Sequence, residues 1–545
     1  MKLFKRYSGF LLIFVLGFIP LLDLFHPGLP ITHDGQDHVA RIANFYQSLT
    51  EGVLVPRWAA HLNWGYGHPI LMFLYPLPSY AASLFHFLGF SLIDSVKLVF
   101  GVFYILSGVA MYLWVRNQFS EKAGLLAGAL YLYAPYRFVD LYVRGAIGEH
   151  VAFLFGPLSL YFIWKLGNSG KTHLQSSLLS LSIAGLLLSH NAIAIMFLPF
   201  LFVYAGILIY PSKQKKPLIF SYLVSFLVGF GLSAFFIIPA YFEGKYTLRD
   251  IVTGHGEYKS GFVSLKDFFI PSWSFGGSQF LSKQLGLMHI LLIILGIFSF
   301  KKNKALFTAS LVFLIGSLFL MLPVSNIIWE KITLLQKFQF PWRLLSPVVL
   351  TESILGVFSL FLFKNKKHAS YFLGIVFFLL VSLSYPYYQT NGYLQKPEVF
   401  FTGVYRGTTD TGESSPIWSV RFMEHEASQP AEFIEGTGTI REVKRTSVSR
   451  IYDVSVTGAR GRIRENTLYF PGWDVLVDGR QVPVEFQDRL NRGLITYNLP
   501  SGKSRVEVVF KDTKLRSISN MISALSLLVV AGIFALGFKH AKHTA

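Results

Sequence analysis

The sequence predicts a polytopic α-helical membrane protein, a bundle of about twelve spans, with one β-sandwich domain outside the membrane. Three observations predict it. Of 545 residues, 52% are hydrophobic and only 14% charged, with no cysteine; a soluble domain has about 25% charged residues. Apolar runs near the length of a spanning helix, about 20 residues, recur along the chain. One segment, 387–517, departs from that composition and alternates apolar and polar residues. This composition excludes a soluble enzyme, a disordered chain and a disulfide scaffold. The missing cysteines exclude thiolate metal sites and cysteine nucleophiles.

The first span runs from Phe10 to Leu24, after Lys2, Lys5 and Arg6. It has the charged start and apolar core of a signal peptide. No small-residue cleavage site follows, so a retained helix is expected. Further spans are expected at 98–115, 121–142, 148–165, 174–190, 191–210, 217–240, 286–300, 305–323, 343–363, 369–386 and 518–538. Residues 70–90 are apolar enough to cross. Their start is broken by Pro69, Pro76 and Pro78, so a re-entrant or interfacial helix is expected.

Basic loops punctuate the spans: Arg116/Lys122, Lys165/Lys171, Lys213/Lys215/Lys216, Lys301/Lys302/Lys304, Lys364/Lys366/Lys367 and Lys539/Lys542. The positive-inside rule places them, and both termini, in the cytoplasm of a multi-pass cell-membrane protein. These loops and termini carry nearly all of the net charge of +19. The basic balance is thus a topology signal, and nucleic acid is not an expected partner. The chain divides into a membrane domain over 1–386, with outer loops at 26–69 and 242–285, a β-rich domain over 387–517, and a final helix with basic tail over 518–545. In the β-rich part, Ser447–Val456 and Ser504–Phe510 alternate as half-buried strands do. Asp478-Gly479 between two apolar runs signals a hairpin.

The first outer loop carries Thr32-His33-Asp34-Gly35-Gln36-Asp37-His38-Val39-Ala40-Arg41. On a helix, Asp34, Asp37, His38 and Arg41 share one face, being three and four residues apart. Two carboxylates, an imidazole and a guanidinium suit proton transfer beside a phosphate. A carboxylate can take the proton of an attacking hydroxyl, and arginine can hold a phosphate bidentately. Helix capping is the plainer reading of Asp34; one cap does not account for Asp37 as well. Arg57 follows, among aromatics that suit the membrane interface.

Residues 136–150 place Arg137, Asp140, Arg144, Glu149 and His150 between two spans. An ion-pair ladder is one reading; ionisable groups lining a functional cavity is the other. Ser189-His190-Asn191 forms a polar turn between two apolar runs, and Glu243 and Arg343 are weaker candidates on the same side. No phosphate loop, His-Glu-x-x-His zinc pair or Gly-x-Ser-x-Gly elbow is present.

The order of these features resembles the GT-C superfamily of membrane glycosyltransferases: a first helix, an acidic first outer loop, a multi-span bundle and an outer domain. More specifically, Asp34–His38, Tyr136–Gly145 and Leu188–Asn191 resemble the membrane family labelled 6-pyruvoyl-tetrahydropterin synthase-related. Tyr469–Gly479 is similar to the tail of bacterial membrane proteins that glycosylate lipoteichoic acid. The resemblance implies a GT-C-like bundle, a polyprenyl-phosphate-linked sugar as donor, and a cell-envelope glycan or lipid as acceptor. It also implies a catalytic base at Asp34 or Asp37. The candidate substrate- and phosphate-binding residues are His38, Arg41, Arg57, Arg144, Glu149, His150, His190 and Asn191. GT-C loops carry adjacent or once-spaced acids. Here two residues separate them, which leaves the identity of the base, and a divalent metal, open. A lipid-linked sugar transporter or flippase is the rival class, expected to place charges at mid-membrane in related repeats; a non-catalytic scaffold is another.

Overall fold

The computed structural model describes residues 2–168, 172–252, 256–277 and 279–543. Lys171, and the side chains of Lys2, Lys5, Arg6, Lys539 and Lys542, lie outside the described residues. Among the described residues, nine helices are long and apolar enough to cross a membrane. They cover residues 8–25, 92–118, 147–168, 191–209, 215–232, 300–321, 341–362, 366–387 and 514–535. Three expected spans are shorter. The helix over 174–190 has 17 qualifying residues, and Leu287–Ile297 has 11.

The third, 121–142, breaks into Glu121–Tyr133, Pro135–Phe138 and a π-helical turn, Val139–Arg144. Pro135 forces the break, since the residue before a proline avoids the helical region. Ala134 accordingly sits at ψ 130°. Such irregular backbone at membrane depth requires shielding by protein, and residues 126–154 are all buried.

Residues 70–90 form Ile70–Phe73 and Leu77–Phe87, separated at Pro76. Neither reaches spanning length, as the prolines predict.

A two-stranded pairing, β1 (Leu29–Pro30) with β2 (Tyr393–Leu394), ties the first long loop to the chain after the 366–387 helix. The remaining strands are β3 (Ala431–Glu435), β4 (Gly438–Arg445), β5 (Ser449–Leu468), β6 (Trp473–Val477), β7 (Arg480–Val482) and β8 (Leu494–Phe510). The sequence suggests a two-layered sandwich; hydrogen bonding joins all six strands in one antiparallel sheet, ordered β3-β5-β8-β6-β7 with β4 also on β5. The long strands β5 and β8 run its whole length, with register shifts near Val456/Arg460 and Glu465/Leu468. Asp478-Gly479 makes the β6–β7 turn, both at positive φ (48° and 79°).

The sheet does not close its core alone. Trp58, from the first long loop, is fully buried against Trp473 (ring centroids 5.4 Å apart) and Phe510 (5.6 Å). Glu51 accepts from the Ser447 N–H at 2.7 Å, and the Leu468 N–H donates to the Tyr66 carbonyl at 3.0 Å. Residues on both sides of position 386 thus share one apolar core.

Candidate active site

The helix Gly35–Thr50 buries Val39, Ile42, Ala43 and Phe45 and turns its polar face to a cleft. Asp34 stands at its N-terminus without making a capping hydrogen bond. Thr32 Oγ1 accepts from the Gly35 N–H instead, at 3.1 Å. The loop runs beside residues 143–145: His33 and Asp34 N–H groups donate to the carbonyls of Val143 (3.0 Å) and Arg144 (2.9 Å). This pairing sets the acidic loop against the second polar stretch, about 110 residues further along the chain.

Asp37 is half-buried. Its Oδ1 accepts from the Tyr405 hydroxyl at 2.7 Å, and that hydroxyl accepts from Gln36 Nε2 at 2.8 Å. Burial raises the Asp37 pKa, against the lowering effects of Arg41 and of the Tyr405 hydrogen bond. Arg41 donates through Nε to Thr409 Oγ1 at 2.8 Å and through Nη1 to His38 Nδ1 at 3.1 Å. His38 is buried, and burial followed by the Arg41 charge holds its pKa well below the usual range. A neutral imidazole accepting at Nδ1 results.

The second polar stretch supplies Arg144. Its Nη1 donates to Glu149 Oε2 (2.6 Å), Asp140 Oδ1 (2.9 Å) and the Tyr136 hydroxyl (3.0 Å). Its guanidinium lies 4.7 Å from the Trp342 ring centroid. Glu149 also accepts from Tyr136 at 2.8 Å and from Ser346. His190 stacks on Tyr75, with centroids 4.8 Å apart. Arg144 and His190 both lie within electrostatic reach of His38, and Arg343 within reach of Arg144 and Glu149. Asp34, Asp37, His38, Arg41, Arg144, Glu149 and His190 are therefore one neighbourhood, although up to 156 residues separate them.

Three expected site residues lie at the margin of this cluster. Arg57 is buried, but it is committed to Asp512 (3.2 Å), Asn520 (2.7 Å) and the Phe235 carbonyl (3.1 Å). These contacts tie the first loop to the start of the final helix, and Arg57 also lines the second cleft described below. His150 packs on Tyr104 and uses Nε2 on the Phe100 carbonyl at 3.0 Å, facing the bundle interior with Nδ1 3.8 Å from Asp140 Oδ2. Asn191 is exposed, and His190 Nδ1 caps the following helix by accepting from the Ile193 N–H at 3.4 Å. Glu243 pairs with Arg516 away from the cluster.

The structure adds residues that the sequence did not single out. Tyr405 and Thr409 come from a loop whose carbonyls at Tyr405 and Gly407 accept from the N–H groups of Trp64 (3.0 Å) and Asn63 (2.7 Å). Tyr75, after the proline-broken turn, supplies the ring under His190. Both tyrosines lie outside any periodic pattern. Only the proline cluster around Tyr75 hinted at special geometry.

The site opens on a narrow apolar cleft, lined by His38 and Arg41 and by Phe45, Leu71, Tyr75 and Pro76. A second narrow cleft shares Phe45, Leu71 and Pro76 and continues to Arg57, Tyr80, Phe235 and Phe236. Among the described residues, no three His, Asp or Glu side chains are grouped as ligands for a metal ion. Asp34 and Asp37 form only a pair, and Asp410 nearby already accepts from the Gly412 and Ser414 N–H groups at 2.9 and 3.1 Å.

Residues 71–390 match the protein family described as "6-pyruvoyl-tetrahydropterin synthase related domain; membrane protein". A curated relative from Lactococcus lactis subsp. cremoris (strain MG1363), named only as an uncharacterized protein, is 26% identical over 357 residues. That match covers 62% of this chain and 55% of the relative, so the chain spans about half the relative's length. Among solved structures, the mycobacterial arabinofuranosyltransferase AftD is 12% identical with a TM-score of 0.44, over 72% of this chain and 28% of that one. The Archaeoglobus fulgidus oligosaccharyltransferase in its apo form is 13% identical with a TM-score of 0.44, over 76% and 62%.

Proposed function

The chain belongs to the membrane-protein family described as 6-pyruvoyl-tetrahydropterin synthase related, and on that premise we propose that it is a glycosyltransferase. It would move a sugar from a polyprenyl-phosphate donor to a hydroxyl acceptor on the extracytoplasmic face, inverting the anomeric carbon. The observation that carries this reading is the meeting of Arg41, Arg144 and His190 around His38, with Asp37 beside Arg41 and with His38 and Arg41 lining an apolar cleft. Charge at one end and an apolar trough beyond it suit a lipid with a phosphate head.

Asp37 takes the proton from the acceptor hydroxyl. The hydroxyl oxygen bonds to the anomeric carbon as its bond to the donor phosphate breaks, and the lipid phosphate departs with the electron pair. Asp37 is assigned as the base, because burial raises its pKa and hence its basicity. Asp34 stands behind it as a second carboxylate. Arg41 and Arg144 stabilise the charge developing on the departing phosphate. Among the described residues, all side-chain hydrogen bonds of Arg144 run through Nη1, which leaves Nη2 for a phosphate oxygen.

The test is sugar transfer by the purified protein in liposomes, with a panel of polyprenyl-phosphate sugars. Asp37→Asn should lower turnover by about 10²–10⁴-fold, the usual worth of a positioned base, with donor binding retained. Full transfer by that variant would refute the base assignment. Transport without transfer would favour the flippase class.

A further inference from the structure

Two loops of the sheet domain expose apolar side chains that none of the described residues covers. Leu490 is 90% exposed, Val420 73%, Phe422 45% and Ile417 38%. Both loops are held in these shapes. Asp488 caps the Leu490 turn, accepting from the Leu490 N–H at 2.9 Å and from Asn491 Nδ2 at 2.7 Å. Val420 sits at φ 68°, a region that β-branched residues avoid. Arg492 binds the loops together, donating to Glu424 (2.8 Å) and to the Phe422 carbonyl (3.1 Å). Ordered, strained and exposed apolar tips mark an interaction surface.

Their position indicates the partner. The helix Ala234–Phe242 ends at Glu243, which accepts from Arg516 Nε (2.8 Å) and the Thr513 hydroxyl (2.9 Å) at the start of the final apolar helix. The two helices are therefore tied together at the start of the final candidate span, where Tyr241 and Phe242 are 75% and 55% exposed. Three residues on, Tyr246 stacks on Trp418, with centroids 5.9 Å apart. Thr247 pairs with Pro416 as an isolated bridge. The loop 417–422 thus begins beside the junction of these two helices, at the start of the final candidate span. Trp418 and Tyr469 pack around Phe486, the aromatic type favoured at headgroup depth. Arg421, Arg489 and Arg492 surround the tips, and Glu424 is already shared by two of them (2.7 and 2.8 Å).

We infer that the loops 417–422 and 489–492 insert their apolar tips into the headgroup layer of the protein's own membrane, with the arginines on anionic lipid phosphates. Apolar burial and attraction to an anionic surface are the two terms that hold interfacial elements. This anchor would fix the sheet domain, and the loop bearing Tyr405, against the bilayer.

The absence of native cysteine permits a direct test. Spin labels are placed on Val420→Cys and, separately, Leu490→Cys of the full chain in nanodiscs of phosphatidylethanolamine and phosphatidylglycerol. Collision with oxygen exceeding collision with a water-soluble nickel chelate is the expected result. The reverse ratio, or shielding from both agents by a protein contact, would overturn the inference. Leu490 is almost fully exposed, so its label decides the matter even if position 420 tolerates no change.

Discussion

Asp37 works, in the proposed mechanism, because its surroundings oppose one another. Burial raises its pKa, while Arg41 and the Tyr405 hydroxyl lower it. A base acts only when ionised, so transfer falls as pH drops through the Asp37 pKa. Tyr405→Phe removes one lowering influence. The acid limb of the kcat/KM profile should then move to higher pH, with the alkaline side unchanged. An unmoved limb would mean that Tyr405 does not touch the base during catalysis. Asp37 and Arg41 were legible in the sequence because helical spacing alone sets them on one face. Tyr405 was not, because 368 residues separate it from Asp37 and its own loop has no periodicity.

Between elements, the decisive contact is backbone to backbone. The loop at 32–34 lies on residues 143–145, where Gly145 adopts φ 65°. A Cβ there would come 2.3 Å from Thr32 Oγ1, the atom that receives the Gly35 N–H. Gly145→Ala should therefore cost about 1–3 kcal/mol through strain and lower transfer by parting Asp34 from Arg144. Thermal unfolding and turnover measure the two effects separately. At the start of the final helix, Arg516 and Glu243 are both buried and bonded at 2.8 Å. Arg516→Ala leaves the buried carboxylate without its counter-charge, with only the Thr513 hydroxyl bonded to it, and such a loss typically costs about 3–5 kcal/mol. A clear fall in melting temperature in detergent is expected; an unchanged one would show that water reaches Glu243. The three short helical segments belong to this scale too. Apolar composition marked 121–142 as one span, whereas Pro135 and complete burial made it three pieces that carry Arg144.

For the whole molecule, the sheet depends on the first long loop. Trp58 fills the sheet core, and Glu51 holds Ser447. Trp58→Ala should destabilise by about 3–5 kcal/mol, as for other large buried aromatics. The loss should speed hydrogen exchange in β6 and β8 before the membrane helices respond. Simultaneous exchange everywhere would mean that sheet and bundle unfold as one unit. The loop with Tyr405 and Thr409 is held by the same first long loop, through His61, Asn63 and Trp64, and its Tyr405 packs in the bundle core.

Composition and periodicity determined a membrane bundle with an alternating, strand-rich segment near its end, and they marked most of the charged residues that meet at the cleft. These are local properties: apolar length, alternation and residues three or four apart act within one element. Tertiary structure decided which of those charges are neighbours. It sent Arg57 to Asp512, turned His150 inward, and brought Tyr75 and Tyr405 to the acidic helix. Such pairings depend on how separate elements pack and on where a buried charge finds its counter-charge. Neither is written in the spacing of any single segment.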